Sequence, residues 1–126
     1  MHRSRLSTFV LDCKTADLDR AADFWSRALG RPARPDPDDP LYRFLDSDEE
    51  EPILLVQKVE HDSRIHLDIE ADDLEAEARR LEALGARRIA FVKRWIVMEA
   101  PTGQRFCIVN PQRGPLAAKR RVTEWK

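Results

Sequence analysis

The sequence predicts an α+β domain built from two diverged copies of one unit, each of which begins with a strand and a helix and continues with further strands. Two observations support this fold class. The chain has 126 residues, which is about the size of one ordinary domain. In addition, the pairs Leu-Asp, Asp-Leu and Leu-Gly occur in this order at 11–12, 17–18 and 29–30, and again at 67–68, 73–74 and 84–85. A one-residue gap aligns the two copies.

The first copy contains an amphipathic helix after its opening strand. Apolar side chains, including Trp25, recur at helical spacing from Leu18 to Leu29. Thr15 suits the N-cap, and Gly30 suits the position that ends a helix. This stripe predicts that Trp25 is a core residue and not a site residue.

The second copy contains an equivalent helix. Asp72 followed by Glu75 resembles a capping box, and an apolar stripe runs from Leu74 to Leu84 before Gly85. Each copy therefore predicts one helix that packs an apolar face on its own strands.

Alternating polarity indicates half-buried strands around these helices. In strand 64–70, Ile65 and Leu67 are expected to face a helix, which turns His66 and Asp68 to the opposite face. Further strands are expected at 6–13, 41–46, 52–59, 88–92, 95–99 and 104–110.

Composition excludes several classes of partner. With 22 basic and 23 acidic residues, the net charge of -1 predicts no general attraction to nucleic acid or to an anionic membrane. Apolar runs such as 53–56 are too short to span a bilayer, and the N-terminus lacks the apolar core of a secretion signal. These features predict a cytoplasmic protein, in which Cys13 and Cys107 are expected to be free thiols.

Residues 112–126 form a basic C-terminal tail. Its sizeable apolar residues are Leu116, Val122 and Trp125. The tail could be mobile or dock on a neighbouring surface, and Trp125 favours docking.

A series of motifs follows one another in order over residues 6–111. They are Asp17-Leu18, Phe24-Trp25, Leu29-Gly30, Arg64-Ile-His66-Leu-Asp68, Leu84-Gly85-Ala86, Pro101-Thr-Gly103 and Phe106-Cys107. This series resembles the glyoxalase-like branch of the vicinal-oxygen-chelate superfamily (glyoxalase/bleomycin resistance protein/dioxygenase). The order of the motifs and their duplication, more than any single motif, support the resemblance.

The resemblance implies a domain of residues 1–111 with two β-α-β-β-β repeats, at about 6–59 and 64–110. The repeats would form a curved mixed sheet around a cup, with the helices on the outer face and a small-molecule ligand inside. The resemblance, together with edge strands that need cover, also implies a homodimer.

Candidate ligand contacts in the implied cup come from both repeats. They are His66, Asp68, Asp12, Phe44, Trp95, Arg105 and Cys107. Asp12 and Asp68 occupy equivalent repeat positions and could hold a cation or move a proton. Phe44 and Trp95 offer flat apolar walls, and Arg105 offers a cationic anchor for an aromatic or carboxylate-bearing ligand. No catalytic residue follows from the sequence.

Metal-dependent members of the superfamily place their ligands on the first and last strand of each repeat. Alignment of the repeats places Val10 opposite His66 and Leu54 opposite Cys107, with Gln57 close enough for a register slip to bring it in. The side chains of valine and leucine have no atom that can coordinate a metal, whereas a Lewis-acid metal needs three or more protein ligands. We therefore expect a degenerate metal site and no metal cofactor, with His66 as the only strong candidate ligand.

The sequence thus favours a small-molecule binding protein that sequesters its ligand or catalyses a modest proton transfer. Two alternatives stay open. A metal-dependent lyase, isomerase or dioxygenase would bind stoichiometric metal at His66. A non-catalytic interaction or regulatory module would have a cup filled by its own side chains.

Overall fold

The computed structural model describes residues 1–126. The elements in chain order are β1 (His2–Lys14), α1 (Leu18–Leu29), β2 (Ala33–Pro35), β3 (Tyr42–Leu45), β4 (Ile53–Val59), β5 (Arg64–Ala71), α2 (Leu74–Ala83), β6 (Arg87–Val92), β7 (Trp95–Glu99), β8 (Arg105–Val109), a 3-10 helix (Leu116–Ala118) and β9 (Thr123–Trp125). Neither α-helix has the length and apolar character needed to cross a membrane.

The chain forms two compact units. The repeat-one unit is Thr8–His66, and the repeat-two unit is Met1–Ser7 together with Leu67–Lys126. Strands β1 and β5 each contribute residues to both units. The repeat-two unit is therefore discontinuous in sequence.

In the repeat-one unit the strand order is β2-β3-β4-β1. Strands β1 and β4 are parallel, and the other pairs are antiparallel. Helix α1 lies on one face of these strands because its apolar stripe packs there. The buried core consists of Leu11, Leu18, Leu45 and Val56, with Trp25 packed against it. The predicted core role of Trp25 is confirmed.

The repeat-two unit has the same topology, with strand order β6-β7-β8-β5. Strands β5 and β8 are parallel, and the other pairs are antiparallel. Its buried core lies under α2 and consists of Ala71, Ala78, Ile96, Met98 and Ile108. The two units share one β-α-β-β-β topology, which confirms the predicted α+β fold with two such repeats.

Both helices begin one or two residues later than the capping patterns predicted. The side chains of Asp17 and Asp73 each accept a hydrogen bond from the backbone N–H three residues on, at 3.1 and 3.0 Å. Thr15 instead accepts a hydrogen bond from the backbone of Asp17. The predicted caps Thr15 and Asp72 are wrong, because only the residue directly before the first turn reaches its unpaired N–H groups.

Strand β5 is covered by α2 only at its C-terminal end. Ala71 is fully buried against the helix, whereas Ile65 is 62% exposed and Leu67 is also exposed. The prediction that Ile65 and Leu67 are half-buried under a helix is therefore wrong. Helix α2 starts at Leu74, directly after the strand, so it packs over the last residues of β5 and not over its beginning.

The C-terminal tail docks on the repeat-two unit. Strand β9 pairs antiparallel with the first residues of β1. The indole N–H of Trp125 donates to Ser4 Oγ at 2.9 Å, and the guanidinium of Arg80 lies 3.7 Å from the centre of its ring. Leu116 in the 3-10 helix is buried. The ring of Trp125 thus anchors the tail by packing, by a hydrogen bond and by a cation–π contact.

Glu77 of α2 is a buried carboxylate at the centre of a polar network. Its Oε1 lies 2.7 Å from His2 Nε2, and Arg80 donates to both carboxylate oxygens at 2.8 Å. Burial by itself raises the pKa of Glu77, but hydrogen bonds from Arg80, His2 and Ser4 outweigh it and hold this pKa below its ordinary value. The network connects the start of β1 to α2.

Candidate functional site

The sheet face of the repeat-one unit opposite α1 carries polar and aromatic side chains. Strand register arranges them in two rows across β3, β4 and β1: Tyr42, Gln57 and Asp12, and beside them Phe44, Leu55 and Val10. Side chains alternate along a strand, and the residues between these supply the core under α1. Both rows therefore point away from the helix.

At the β1 side of this face, His66 and Asp12 form a hydrogen-bonded pair. Nδ1 of His66 lies 2.7 Å from Oδ2 of Asp12, and Asp12 is only 3% exposed. An ionised carboxylate can only accept hydrogen bonds, so this contact places the imidazole proton on Nδ1 and makes Nε2 the nitrogen that can accept a proton or coordinate. The other carboxylate oxygen, Oδ1, is buried without a hydrogen-bond partner.

Two arginines border the face, and neither was among the predicted site residues. Arg64, two residues before His66 on β5, has its Nε 3.6 Å from Asp12 Oδ2. Arg34 of β2 lies 4.4 Å from the centre of the Phe44 ring. The strand alternation that selected His66 also selects Arg64, but charged residues at strand ends are usually solvent-exposed and carry no site signal of their own.

The equivalent face of the repeat-two unit carries the remaining candidates. Register pairs Asp68 with Cys107, and Arg105 with Glu99. Trp95 lies on the same face, because it is four residues from Glu99 along β7. Cys107 is a free thiol, as is Cys13 in the other unit.

The guanidinium of Arg105 is already used within its own unit. Its Nε donates to Glu99 Oε1 at 3.2 Å, and Arg87 also donates to Glu99. Hydrogen bonds from Arg87 and Arg105 hold the pKa of Glu99 below its ordinary value. Arg105 is thus a weaker candidate for an anionic ligand than its sequence position indicated.

The predicted site residues therefore come from both units. His66, Asp12 and Phe44 belong to the face of the repeat-one unit opposite α1, where His66 and Asp12 form a hydrogen bond. The other four, Asp68, Trp95, Arg105 and Cys107, share the corresponding face of the repeat-two unit. As ligand contacts, all seven stay predictions.

The register corrects one assumption about metal-ligand positions. Asp12 pairs with Gln57, and Asp68, at the equivalent repeat position, pairs with Cys107. Gln57 is therefore the counterpart of Cys107, and the predicted counterpart, Leu54, is wrong. Leu54 packs against the core under α1, because it lies an odd number of residues from Gln57 along β4.

The repeat-one face does not fit a catalytic metal by itself. A Lewis-acid metal in a protein needs about three donors and one open position. This face offers the imidazole of His66 and the side-chain amide oxygen of Gln57, whereas Val10 has no donor atom. The carboxylate of Asp12 is turned toward the imidazole and acts on it as an orienting partner.

Known structures share this fold at low sequence identity. Methylmalonyl-CoA epimerase from Mycobacterium tuberculosis superposes with a TM-score of 0.59 at 20% identity, over 90% of this chain and 90% of that chain. A glyoxalase/bleomycin resistance protein/dioxygenase superfamily member from Vibrio splendidus 12B01 gives 0.54 at 18%, over 83% and 98%. An extradiol ring-cleaving dioxygenase from B. fuscum gives 0.56 at 19%, over 84% of this chain and 32% of that chain. The chain thus spans about a third of the dioxygenase.

A family model described as a glyoxalase-like domain matches residues 8–109. None of the curated proteins matches the chain. The family match covers most of the chain and includes both repeats, and the superposed structures have the same fold. The chain therefore belongs to the glyoxalase-like domain family of the vicinal-oxygen-chelate superfamily.

Proposed function

We propose that this protein binds a small organic molecule on the sheet face of the repeat-one unit opposite α1 without a metal cofactor, and that His66 makes the central polar contact. The observation that supports this most is the 2.7 Å contact between His66 Nδ1 and the buried carboxylate of Asp12. A carboxylate in this position fixes the tautomer and the orientation of the ring. Nε2 is then the nitrogen that can accept a proton or a hydrogen bond.

Packing alone gives no reason to keep this pair. Burying a carboxylate is costly, and Asp12 has one oxygen, Oδ1, without a hydrogen-bond partner. An apolar pair of similar volume would stabilise the fold at least as well. Such a pair, on a sheet face that also carries aromatic side chains, is typical of a binding or catalytic site.

The surroundings suit a small ligand with an apolar body. Tyr42, Phe44 and Leu55 are half-buried on this face, so each has surface left to cover. Ligand sites usually combine such apolar walls with few polar groups that fix orientation. Here the polar groups are His66 and Gln57. Sequestration needs only these contacts, whereas a proton transfer would use Nε2 of His66 as the base.

The test is a fragment screen by ligand-observed NMR, with amide shifts recorded on labelled protein. We expect fragments that shift the amides of Tyr42, Gln57 and His66. Their affinity should fall about tenfold in His66→Ala, the loss expected for a hydrogen bond worth about 1.4 kcal/mol. Asp12→Asn should cause a smaller loss, because the ring loses its orientation but not its nitrogen.

His61→Ala is the matched control, because His61 is an exposed histidine of the same unit whose ring contacts only a neighbouring backbone carbonyl. Fragment affinities should not change in this variant. If the fragments bind His66→Ala as tightly as the unmodified protein, His66 is not the central contact and the proposal fails.

A metal-dependent lyase, isomerase or dioxygenase is the second candidate. One observation favours it: a histidine held by a carboxylate resembles the outer-shell support of metal-bound imidazoles. Elemental analysis after exposure to zinc, iron, nickel and manganese separates the two candidates. About one metal per chain, lost in His66→Ala and kept in His61→Ala, would establish the metal site and contradict the metal-free proposal.

We also propose that the protein works in the cytoplasm as a homodimer. Strand β6 lies at the end of the strand order and all of its residues are exposed, including the apolar side chain of Phe91. Such an edge needs cover to avoid uncontrolled pairing. Light scattering should give twice the chain mass of 14.6 kDa, and a stable monomer at high concentration would contradict the dimer.

A further inference from the structure

We infer that the ligand of the repeat-one face carries a carboxylate on a flat apolar body, and that Arg64 binds this carboxylate. The inference rests on the function proposed above and names the chemical class of the ligand. Three features support it: the partners and orientation of the Arg64 guanidinium, the charged residues near the face, and the spacing between Arg64 and the aromatic residues.

Arg64 is the least committed arginine at this face. Its only polar partner is Asp12, at 3.6 Å from Nε, which is an ion-pair distance and too long for a hydrogen bond. The same Asp12 oxygen, Oδ2, is already hydrogen-bonded to Nδ1 of His66 at 2.7 Å. By contrast, Arg31 is hydrogen-bonded to both oxygens of Glu51.

The orientation of Arg64 suits an incoming anion. Because Nε is its closest atom to Asp12, the two Nη groups lie farther from that carboxylate. This outer edge of a guanidinium presents two parallel N–H donors, which match the two oxygens of a carboxylate. The side chain is 47% exposed, so a ligand can reach it without the cost of uncovering a buried charge.

Within the two side-chain rows, repulsion of an anion is limited to one buried carboxylate. Asp12 is the only carboxylate in the two side-chain rows, and it is buried and faces His66. Arg34 is on β2, at one end of this unit's strand order, and Arg64 pairs with Asp12 of β1, the strand at the other end. Arg34 is partly neutralised by Asp46, with 3.4 Å between Nε and Oδ1. Arg64 is therefore the stronger anchor of the two.

The spacing fits a ring with an acidic substituent. Asp12 and Tyr42 lie in one row with β4 between their strands, so roughly 10 Å separates them, at about 4.8 Å per strand. A ligand whose carboxylate contacts Arg64 beside Asp12 can lay one aromatic ring toward Tyr42 and Phe44. Its ring face would then cover Leu55, and His66 would be within reach of a ring substituent.

The test compares each acid with its neutral amide: benzoate with benzamide, and 1-naphthoate with 1-naphthamide. Amide-shift titrations of labelled protein at low salt give the dissociation constants. Each acid should bind about tenfold more tightly than its amide, as expected for a charge-assisted contact at a partly exposed site. Arg64→Gln should remove this preference, and Arg64→Lys should keep part of it, because lysine retains the charge but not the planar fork.

Arg20→Gln is the control, because Arg20 is an exposed arginine on α1. It should leave the preference unchanged. Equal binding of acid and amide to the unmodified protein would overturn the carboxylate assignment while leaving the proposed function standing. A preference that falls equally in Arg20→Gln and Arg64→Gln would also overturn it, since only net charge would matter. If neither member of either pair binds, and the fragment screen also finds no ligand, both proposals fail together.

Discussion

Replacement of Glu77 with alanine should lower the free energy of unfolding by about 3 kcal/mol. Glu77 is 0% exposed, and its carboxylate is the shared partner of His2 and Arg80. Without it, the buried His2 ring loses its partner and the Arg80 guanidinium is left partly buried without a counterion. Urea unfolding followed by circular dichroism measures the loss.

Glu82→Ala is the matched control on the same helix. Glu82 is an exposed glutamate that accepts a hydrogen bond from Arg88 Nε at 3.0 Å. An exposed ion pair of this kind contributes less than about 1 kcal/mol, so this variant should stay close to the unmodified protein. Equal losses in Glu77→Ala and Glu82→Ala would show that the buried network is not a main source of stability.

The same network predicts a pH dependence. The folded state holds the pKa of Glu77 below its ordinary value, so its contribution to stability is fully present above that ordinary value. This contribution is lost as the pH falls through the lowered folded-state pKa. The stability difference between the unmodified protein and Glu77→Gln should therefore shrink in acid, and a difference that grows in acid would contradict the direction of the shift.

Replacement of Ile108 with alanine should cost about 3 kcal/mol, because it opens a cavity in a packed core. Ile108 is fully buried, and strand register places it between Ile69 of β5 and Ile96 of β7, under α2. The surrounding side chains come from three strands and a helix, so they cannot all move in to fill the space.

Ile65→Ala removes the same atoms from an exposed position of the sheet. Ile65 is 62% exposed, so its loss should change the free energy of unfolding by less than about 1 kcal/mol. Both variants are measured by urea unfolding at several protein concentrations. A cost at Ile65 as large as that at Ile108 would contradict the exposure of this end of β5.

The architecture was predictable because the same sequence pattern occurs twice in the chain. The paired Leu-Asp, Asp-Leu and Leu-Gly positions mark a strand, a helix start and a helix end in each repeat, and the structure has all of these elements. The exact helix starts were not predictable in the same way. Thr15 and Asp17 are both good capping residues, and only the path of the backbone decides between them.

The candidate site was less accessible from sequence. Alternation correctly grouped His66 with Asp12, but it could not show their 2.7 Å contact, which requires two strands distant in sequence. The equivalence of Gln57 and Cys107 depends on strand register, which a single sequence does not specify when both faces of a strand carry apolar residues. Arg64 was overlooked because an arginine at the start of a strand has no distinctive pattern.

The discontinuity of the repeat-two unit has a consequence for how the chain can be divided and how it folds. Residues 2–4 pair with β9, and His2 and Ser4 contribute to the surroundings of Glu77, although the whole of the first repeat lies between them and α2 in sequence. Because a long loop must close before these contacts form, we expect them to form late in folding. Folding should also be slower than for a chain whose paired elements are close in sequence. A fragment that starts at the boundary between the repeats would keep Glu77 but lose His2. The boundary between the two sequence repeats is therefore not a place where the chain can be cut into two halves that are each complete.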